Sequence, residues 1–365
     1  MKKKVCIVFN HFQFQDGVAR AAIAVANTLV KQSDADVTLI PLFKFKKDAL
    51  NLIDERVKVK PFLKFYFRGL QKLVDIIPYK MLYKLVVREK YDIEIGFCLR
   101  LPIQIIANST NSDAAHYAWM HGYDNGLTLK EYYQKVDKLI CVSRENAERV
   151  AREACGSINV DYSYNPLDDL AVIEQGQVPV GVQKSEEMTF VTVGRQSEEK
   201  GFARLIDVVK RLKEDGFNLK LWFVGDGPEH SALVDKVNAY GLEEDVTFWG
   251  TQKNPHAYTS KADVFVCSSY TEGYSTACTE AVILEVPVIT TAVGGAKEII
   301  EDSEAGLMVE NSDEALYEGM KFALCNPDKV NEWKQTLKDT RIKFSHVERS
   351  KKLIGLLNLH EEVKK

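Results

Sequence analysis

Two charged side chains in the second half of the chain have the types and spacing to hold a diphosphate. Arg195 and Lys200 lie five residues apart in the segment Val193-Gly-Arg-Gln-Ser-Glu-Glu-Lys-Gly201, which follows a predicted strand. A guanidinium can donate two parallel hydrogen bonds to phosphate oxygens, and an ammonium adds a mobile positive charge. The pattern favours a diphosphate-binding loop, although a solvated charged loop with a glycine cap explains an isolated Arg/Lys pair equally well.

A second loop, residues 268–280, carries two carboxylates eight residues apart. Glu272 follows another predicted strand, and Ser275 or Thr276 can cap the helix that contains Glu280. The free N–H groups and the dipole at a helix start attract an anion such as a phosphate. Carboxylates accept hydrogen bonds from sugar and ribose hydroxyls. Glutamates are also common in capping boxes, so this loop alone leaves both interpretations open.

Short apolar runs alternate with helical patterns around these loops. Five runs in the second half are predicted strands: Phe190–Val193, Leu219–Val224, Val246–Phe248, Val264–Cys267 and Val288–Thr291. Nearly continuous apolar strands between helices are typical of a parallel, doubly wound α/β sheet. Ligands of such sheets bind beyond the carboxyl ends of the strands, where both charged loops would lie.

The first half repeats the alternation less regularly. Its candidate strands are Val5–Phe9, Val37–Leu42, Ile93–Phe97, His116–Met120 and Leu139–Val142, with helices from about Val18 and Arg144. The pattern predicts two Rossmann-like doubly wound domains that face each other across a cleft. We expect an N-terminal domain over residues 1–170 and a C-terminal domain over 171–344. A helix at about 345–365 should pack back on the first, and the polar stretch 174–181 should be a linker.

Composition restricts the class of protein. Of the 365 residues, 45% are hydrophobic and 27% charged, as in globular proteins, and the net charge of −4 argues against a general nucleic-acid binder. The seven scattered cysteines favour core positions in a reducing compartment over a zinc site or disulfides. The chain has no apolar run long enough to span a membrane, and its short apolar start predicts a strand rather than a signal peptide. We expect a cytoplasmic protein, or one on the cytoplasmic face of a membrane.

The order of several short motifs resembles the signature of family-four retaining glycosyltransferases, which have the GT-B fold. These motifs are Gly194-Arg195 with Lys200-Gly201, Gly225-Asp-Gly-Pro228, Glu272-x7-Glu280, and Gly294-Gly295 with Glu298-Ile299. Each motif alone is modestly specific, but their order and spacing are highly specific. The resemblance covers residues 188–325 strongly and the first half weakly.

The resemblance implies that the domain over 1–170 is the acceptor-side domain and that the domain over 171–344 binds the nucleotide sugar. It also implies a role for each matching position. Arg195 and Lys200 would bind the donor diphosphate and stabilise it as it leaves. Glu272 would bind hydroxyls of the donor sugar, and Glu280 the ribose of the nucleotide. The other implied donor-binding positions are Gly194, Gly225, Gly227, Thr251, Gln252, Gly273, Tyr274, Ser275 and Thr276. A plain turn explains Gly225 and Gly227 about as well as contact with the donor.

The N-terminal half matches the family only in part. After the first strand the family commonly has two glycines and then Glu-Arg, whereas this chain has Asp16-Gly-Val-Ala-Arg20. Gly17 and Arg20 match as substrate-binding residues, while Asp16 and Ala19 differ. His121, which follows a predicted strand, resembles the family's histidine that contacts the transferred sugar. A structural role is the alternative for a lone histidine.

The family resemblance implies transfer with retention of configuration. No Asp-x-Asp in a suitable loop suggests a bound metal, so we expect metal independence. We expect no other cofactor, since the nucleotide sugar is a co-substrate. The departing phosphate oxygen would act as the base, and fixed positive charge would stabilise the leaving diphosphate. We expect a hexose or N-acetylhexosamine, from a UDP-sugar in the simplest case. The acceptor would be a glycan or polyprenyl-linked glycan in cell-surface polysaccharide or capsule synthesis. A GT-B nucleotide-sugar epimerase and a catalytically silent GT-B partner subunit remain as alternatives, although the intact Arg/Lys and Glu/Glu pairs argue against both.

Residues 57–91 are strongly basic in a protein of net charge −4. They contain nine Lys or Arg side chains and two acids, Asp75 and Glu89, which gives a net charge of +7. On helices the basic residues would form stripes every four residues, namely Lys60, Lys64, Arg68 and Lys72, then Lys80, Lys84 and Arg88. Aromatic residues lie between them, a composition typical of interfacial helices. We therefore predict an anionic membrane surface as a partner; a solvated helix with its aromatic side on the core is the alternative.

Overall fold

The structure is a computed structural model that describes residues 2–13, 17–122, 131–182 and 185–359. Asp16 and the end of the expected C-terminal helix, residues 360–365, lie outside the described residues. The chain divides into two compact units, Met1–Leu167 together with Val347–Lys365, and Asp168–His346. Among the described residues, no helix has the length and apolar character needed to cross a bilayer.

Seven parallel strands form the sheet of the first unit. They are β1 (Lys3–Phe12), β2 (Ala35–Phe45), β3 (Lys58–Val59), β4 (Ile93–Phe97), β5 (Ala115–Met120), β6 (Lys138–Cys141) and β7 (Val160–Tyr162). Their order across the sheet is β3-β2-β1-β4-β5-β6-β7. The central strand β1 buries five consecutive residues, Val5–Phe9, completely. Burial of successive residues means that both faces of the sheet are covered, as expected for a parallel sheet.

Helices of the first unit connect these strands. They are α1 (Gly17–Gln32), α2 (Leu70–Val74), α3 (Tyr79–Val86), α4 (Leu101–Ile106) and α5 (Arg144–Ala154), with 3-10 turns at Lys47–Leu52 and Glu131–Lys135. Residues of α2, α3 and α4 pack against β1 and β2 in one buried cluster. Residues of α5 pack against β5 and β6 in another. The parallel strands and connecting helices confirm the doubly wound α/β class predicted for this half.

Six parallel strands form the sheet of the second unit. They are β8 (Met188–Val193), β9 (Leu219–Val224), β10 (Val246–Phe248), β11 (Val264–Cys267), β12 (Val288–Thr291) and β13 (Gly306–Val309). Their order is β10-β9-β8-β11-β12-β13. Strand order therefore reverses between β8 and β11, the position at which doubly wound sheets open a crevice for ligands. The loops after β8 and β11 are the two charged loops singled out in the sequence.

Eight helices surround the second sheet. They are α6 (Asp169–Gly176), α7 (Phe202–Glu214), α8 (His230–Tyr240), α9 (His256–Thr259), α10 (Thr276–Ile283), α11 (Ala296–Ser303), α12 (Asp313–Cys325) and α13 (Pro327–Thr340), with 3-10 turns at Glu198–Lys200 and Arg341–Phe344. On α7 the apolar residues that recur at helical spacing are buried: Phe202, Leu205, Ile206, Val209 and Leu212. Helix α7, which follows the Arg/Lys loop, is therefore amphipathic and packs its apolar side on the sheet.

The last helix, α14 (His346–Leu356), belongs with the first unit from Val347 onwards. Arg349 donates a hydrogen bond of 3.1 Å to the carbonyl oxygen of Asn165. Lys352 donates one of 3.0 Å to the carboxylate of Asp161. Leu353 and Ile354 are buried. The end of the chain therefore helps to complete the unit in which the chain begins.

Two local expectations are wrong. The polar stretch 174–181 is not all linker, because α6 continues to Gly176, where a Cβ atom would lie only 2.3 Å from the side chain of Leu284. The basic residues Lys60, Lys64 and Arg68 do not lie on a helix, since α2 begins at Leu70. Residues 60–69 contain bends and a turn instead, and Pro61 disfavours a helical conformation at Lys60. The four-residue spacing therefore forms no helical stripe there.

Candidate functional site

Most predicted donor residues of the second unit lie in four loops at the carboxyl ends of neighbouring parallel strands, and Thr276 and Glu280 lie on α10, directly after the last of these loops. The loops follow β8 (residues 194–201), β9 (225–229), β10 (249–255) and β11 (268–275). Because the strands are parallel and adjacent, these loops meet at one edge of the sheet. Hydrogen bonds and close glycine contacts connect them.

An ion pair joins the two charged loops. Nζ of Lys200 donates a hydrogen bond of 2.6 Å to Oε1 of Glu272, and Oγ of Ser269 donates to the same oxygen at 2.8 Å. The Lys200 side chain is 27% exposed and that of Glu272 only 14%. Burial is the largest single influence and would lower the pKa of Lys200, but the charge and the hydrogen bond of Glu272 act together against it and the net pKa is raised. The ion pair thus places a cation that can bind phosphate directly beside a carboxylate that can bind hydroxyls.

Gly201 lets the backbones of these two loops touch. It has a left-handed φ of +63°, and a Cβ atom there would lie 2.2 Å from the carbonyl oxygen of Ser268. Oγ of Ser268 donates to the carbonyl oxygen of Lys200 at 2.9 Å. Any side chain at position 201 would force the loops apart and break the approach of Lys200 to Glu272.

Gly225 and Gly227 have a similar packing role against the first loop. A Cβ atom at Gly225, whose φ is +131°, would lie 2.0 Å from the carbonyl oxygen of Gly194. One at Gly227 would lie 2.3 Å from the carbonyl oxygen of Gln196. The backbone N–H of Gly225 also donates to the carbonyl of Gly250 at 2.8 Å. These contacts favour the structural interpretation of both glycines.

Gln196 is a loop residue that the sequence did not single out. Its side chain is fully buried, and its Nε2 donates to the carbonyl of Gly225 at 2.9 Å. Its Oε1 lies 2.8 Å from Nδ1 of His230 at the start of α8. The amide therefore fixes the loop after β8 to the loop after β9. A glutamine among charged residues gives no sign of this in the sequence.

Arg204 on α7 is the second residue that the sequence did not reveal. It is only 3% exposed, and its Nε donates to the carbonyl oxygen of Ser268 at 2.8 Å. Its Nη2 donates to the carbonyl of Ser269 at 2.8 Å and its Nη1 to Oδ1 of Asn311 at 2.8 Å. The guanidinium also lies 4.0 Å from the ring centroid of Tyr270. One side chain thus holds three consecutive residues that lead to the Glu272 turn.

Helix α10 carries the second carboxylate. Oγ of Ser275 accepts from the backbone N–H of Cys278 at 3.3 Å, which confirms Ser275 as the N-cap. Glu280 is 8% exposed, and its Oε2 lies 3.4 Å from Nε2 of His256. Nδ1 of His256 in turn lies 2.9 Å from Oε1 of Gln175. His256, also missed in the sequence, orients Glu280 from α9.

The remaining predicted positions of the second unit divide into buried and exposed ones. Tyr274 is 9% exposed and packs beneath Gly295, where a Cβ atom would lie 2.5 Å from its ring. The side-chain amide of Gln252 donates to the carbonyl of Trp249. The exposed positions at the surface of these loops are Arg195, Thr251 and Thr276. Gly273 lies in the turn between the Glu272 and Tyr274 positions.

In the first unit, His121 directly follows β5. Its Nε2 is buried without a hydrogen-bond partner among the described residues, and its ring lies 4.3 Å from that of Phe97. Burial lowers the pKa of His121 to about 3, so the imidazole is neutral at physiological pH. A neutral imidazole can exchange a hydrogen bond with a hydroxyl but cannot supply positive charge.

Gly17 and Arg20 lie in the first turn of α1, after β1. Both are exposed, and a Cβ atom at Gly17 would meet no described atom within 4 Å. The fold therefore does not itself require glycine at position 17, in contrast to Gly225. No group of three or more His, Cys, Asp or Glu side chains that could hold a metal ion occurs within the described ranges.

The larger part of the second unit is similar to a known protein family. Residues 177–340 match the family of glycosyl transferases group 1. This range contains all four loops of the candidate site. The match supports the family resemblance inferred from the ordered motifs.

Two curated relatives carry related names. The first is the N-acetylgalactosamine-N,N'-diacetylbacillosaminyl-diphospho-undecaprenol 4-alpha-N-acetylgalactosaminyltransferase of Campylobacter jejuni. It is 28% identical over 60% of this chain and 59% of its own length. The second, the lipopolysaccharide core biosynthesis glycosyltransferase LpsE of Rhizobium meliloti, is 25% identical over 83% of this chain and 84% of its own length. The chain thus spans about three-fifths of the Campylobacter relative.

Solved structures establish the architecture. The structure of Anabaena Alr3699/HepE in complex with UDP and glucose has a TM-score of 0.76 to this chain. The two are 16% identical, and the alignment covers 98% of this chain and 99% of that one. At this identity the likeness concerns the fold. The chain has the GT-B fold, with two Rossmann-like α/β units in one polypeptide, as predicted.

Proposed function

We propose that the protein is a retaining glycosyltransferase that moves a hexose or N-acetylhexosamine from a nucleotide-diphosphate sugar, in the simplest case a UDP-sugar. The observation that carries this proposal is the 2.6 Å ion pair of Lys200 and Glu272 at the β8/β11 switch point. It holds a phosphate-binding cation next to a hydroxyl-binding carboxylate. A nucleotide sugar presents these two chemical groups side by side, at its diphosphate and its sugar.

Each residue then has a chemical task in the transfer. Arg195 and Lys200 would neutralise the charge that develops on the leaving diphosphate, together with the α10 N-terminus at Thr276. Glu272 would accept hydrogen bonds from the sugar hydroxyls. Glu280, oriented by its contact with a buried histidine, would accept those of the ribose.

Retention and metal independence are part of the proposal. A retaining transfer needs a base on the leaving-group face, and the departing phosphate oxygen can serve, so no protein nucleophile is assigned. The relative from Campylobacter jejuni is named for a 4-alpha linkage, which is what retention gives from an α-linked nucleotide sugar. NMR of the first product anomer and an assay in excess EDTA test these two points. A β-anomer from an α-donor, or loss of transfer that added Mg²⁺ restores, would contradict them.

We infer that the acceptor is a glycan or polyprenyl-linked glycan of cell-surface polysaccharide synthesis. The name of the Campylobacter relative contains a diphospho-undecaprenol acceptor, and that of the Rhizobium relative refers to lipopolysaccharide core biosynthesis. In this proposal the enzyme works in the cytoplasm, peripherally on the cytoplasmic face of a membrane. Its partners are a nucleotide sugar, the acceptor and anionic lipid, but not nucleic acid.

A donor panel tests the activity itself. The protein is incubated with UDP-, GDP- and ADP-sugars, and release of the nucleotide diphosphate is followed with and without candidate acceptors. We expect release from one nucleotide class, abolished in Glu272→Gln. Interconversion of two nucleotide sugars without release would instead indicate an epimerase. Neither turnover nor binding of any donor would indicate a silent subunit, and either result would overturn the proposal.

A further inference from the structure

One segment of the first unit exposes an unusual amount of apolar surface. Fifteen large hydrophobic side chains are exposed in the described part of the chain, and seven of them fall within residues 65–85. These seven are Phe65, Tyr66, Phe67, Leu73, Ile76, Met81 and Leu85. Ile76 is 77% exposed and Phe65 57%. Large apolar side chains that are grouped and exposed mark an interaction surface more often than singly scattered ones do.

The same segment is basic. The exposed side chains of residues 64–88, which we call the docking face, include six Lys or Arg residues: Lys64, Arg68, Lys72, Lys80, Lys84 and Arg88. Asp75 is the one acidic residue within these bounds, so the net charge is +5. The next acid along the chain, Glu89, is already paired with Lys60 at 2.5 Å. The docking face therefore combines apolar side chains with a charge excess of one sign.

Helix α3 shows how the two kinds of side chain are arranged. Its inner side is buried and consists of Leu82, Tyr83 and Val86. Its outer side is exposed and consists of two adjacent pairs, Lys80 with Lys84 and Met81 with Leu85. Members of each pair are four residues apart and so lie one above the other on the helix. The inner side of α3 packs on the hydrophobic core of the first unit. The exposed apolar side chains of the outer side do not contribute to that packing.

The exposed aromatic residues before α2 are held in place. The rings of Phe65 and Phe67 stack with centroids 6.4 Å apart and an interplanar angle of 5°. Tyr66, between them, contacts the ring of His11 edge-on at 4.9 Å. The middle residue thus fixes the backbone, while the two phenylalanines remain at least half exposed. Because the backbone is fixed, the two outward rings lose little conformational entropy when they insert into a binding partner.

A cavity of about 360 Å³ borders the docking face. Its lining includes three cations, Lys84, Arg88 and Lys90, two acids, Glu89 and Asp113, and the hydroxyl-bearing residues Thr110 and Ser112. The charged side chains of the lining therefore leave an excess of one positive charge. A phosphate group would find both positive charge and hydrogen-bond donors there.

We propose that the docking face binds the headgroup region of an anionic lipid bilayer, with Phe65, Phe67 and Ile76 reaching the acyl boundary. The charge excess favours this partner over an uncharged apolar protein surface, because lipid phosphates complement six cations spaced among apolar side chains. The inference deepens the proposed function and rests on it, since a polyprenyl-linked acceptor lies in such a bilayer. The basic segment thereby acts without the continuous helix that its spacing suggested.

Co-sedimentation with vesicles tests the proposal. The full chain is mixed with phosphatidylcholine vesicles or phosphatidylglycerol vesicles at low and high salt. We expect salt-sensitive binding to phosphatidylglycerol only, weakened at least about tenfold by the triple variant Lys64→Glu, Arg68→Glu, Lys72→Glu. The variant Phe65→Ser, Phe67→Ser keeps the charge and should weaken binding about tenfold through lost insertion. A matched control reverses three exposed lysines of the second unit, Lys297, Lys338 and Lys343, and should bind like the wild type.

Several results would overturn the proposal. One is equal binding to both vesicle types, and another is equal weakening by the control variant. A third is a wild-type dimer that the Phe65/Phe67 variant dissolves, which would make a second copy the occupant. Nucleotide release from the donor, measured without vesicles, is independent of docking. A wild-type protein that turns over the donor but does not bind phosphatidylglycerol vesicles therefore refutes the docking face alone, whereas one that binds vesicles without donor turnover refutes the transferase.

Discussion

Lys200 and Glu272, 72 positions apart in the chain, form a direct ion pair of 2.6 Å at the carboxyl ends of β8 and β11. The residue proposed for the leaving phosphate is therefore also the counter-ion of the residue proposed for the sugar. This arrangement orients both side chains before any donor binds, which reduces the reorganisation required in the transition state. It also means that a change at either residue affects the other.

Arg195 and Lys200 should respond differently to removal. Arg195→Ala should lower turnover by about 10²–10³ while leaving thermal stability unchanged, because the side chain is exposed. Lys200→Ala should lower turnover similarly and also destabilise the fold by about 1–3 kcal/mol, because the partly buried Glu272 loses its counter-ion. Initial rates and thermal unfolding measure both effects. Unchanged turnover with only a higher KM for the donor would show uniform binding and exclude a catalytic role.

The two glutamates should separate transfer from nucleotide binding. Glu272→Gln should lower turnover by about 10²-fold, whereas Glu280→Gln should weaken binding of the bare nucleotide diphosphate by about tenfold. Isothermal titration with the nucleotide diphosphate and steady-state rates for the full donor distinguish the two. If Glu272→Gln abolished nucleotide binding and Glu280→Gln left it intact, the two roles would have to be exchanged.

Arg204 should act as a positioning residue for the Glu272 loop. Arg204→Lys keeps the charge but loses the planar fork that holds the carbonyls of Ser268 and Ser269. We expect turnover to fall about tenfold with little change in KM or nucleotide affinity. The matched control is Arg211→Lys on the same helix, where the side chain is 46% exposed and pairs with Glu314. Equal losses in both variants, or a loss of nucleotide affinity alone, would remove Arg204 from this role.

Substitution by alanine should have different effects on stability at Gly225 and at Gly17. Gly225→Ala should destabilise the second unit by more than about 2 kcal/mol, because its Cβ atom would lie 2.0 Å from the carbonyl oxygen of Gly194 at a φ of +131°. Gly17→Ala should leave stability intact, since no described atom lies within 4 Å of the new methyl group. It should still lower transfer about tenfold if the donor approaches the backbone there. Urea unfolding and donor turnover give both quantities; full activity of Gly17→Ala would contradict a donor contact.

His121 should make stability depend on pH on the acid side. Its pKa is about 3 in the folded chain, against about 6.5 when unfolded. Between these values the unfolded chain binds more protons, so stability falls as the pH drops below about 6.5. At about pH 5 the loss should reach about 2 kcal/mol. Urea unfolding at about pH 7.5 and pH 5 should show this loss in the wild type but not in His121→Gln; equal losses in both would refute it.

The central strands could be predicted because both of their faces are buried. Continuous apolar runs located four of them with the observed bounds: Ile93–Phe97, Leu219–Val224, Val264–Cys267 and Val288–Thr291. The bounds of Val246–Phe248 were also predicted, although this strand, β10, lies at the edge of its sheet. Three short strands were not predicted: Lys58–Val59, Val160–Tyr162 and Gly306–Val309. All three lie at sheet edges and are partly exposed. Lys58–Val59 and Val160–Tyr162 carry no apolar run, and the run Leu307–Val309 in the third is only three residues long. Without such a run, a strand is determined by its neighbour rather than by its own residues.

The sequence could single out the candidate site residues that belong to motifs with a set spacing along the chain, such as Lys200 and Glu272. The residues that hold the loops in place were not visible. Gln196, Arg204 and His256 are polar residues whose partners are distant; Arg204, for example, reaches a carbonyl 64 positions away. A buried arginine on a helix looks like a surface residue in a sequence, because its burial depends on a carbonyl that only the tertiary fold brings near.

Because α14 belongs to the first unit, the gene segment that encodes the second unit is an insertion within the segment that encodes the first. The chain leaves the first unit after Leu167 and re-enters it at Val347. A chimera that exchanges the second unit with a relative's therefore needs two junctions, since one junction would also import a foreign α14. That foreign helix would have to recreate the bonds to Asn165 and Asp161. We expect recombination between such genes to exchange the second unit as a whole. The segments on either side of it, which form the first unit, would then stay together from one parent gene.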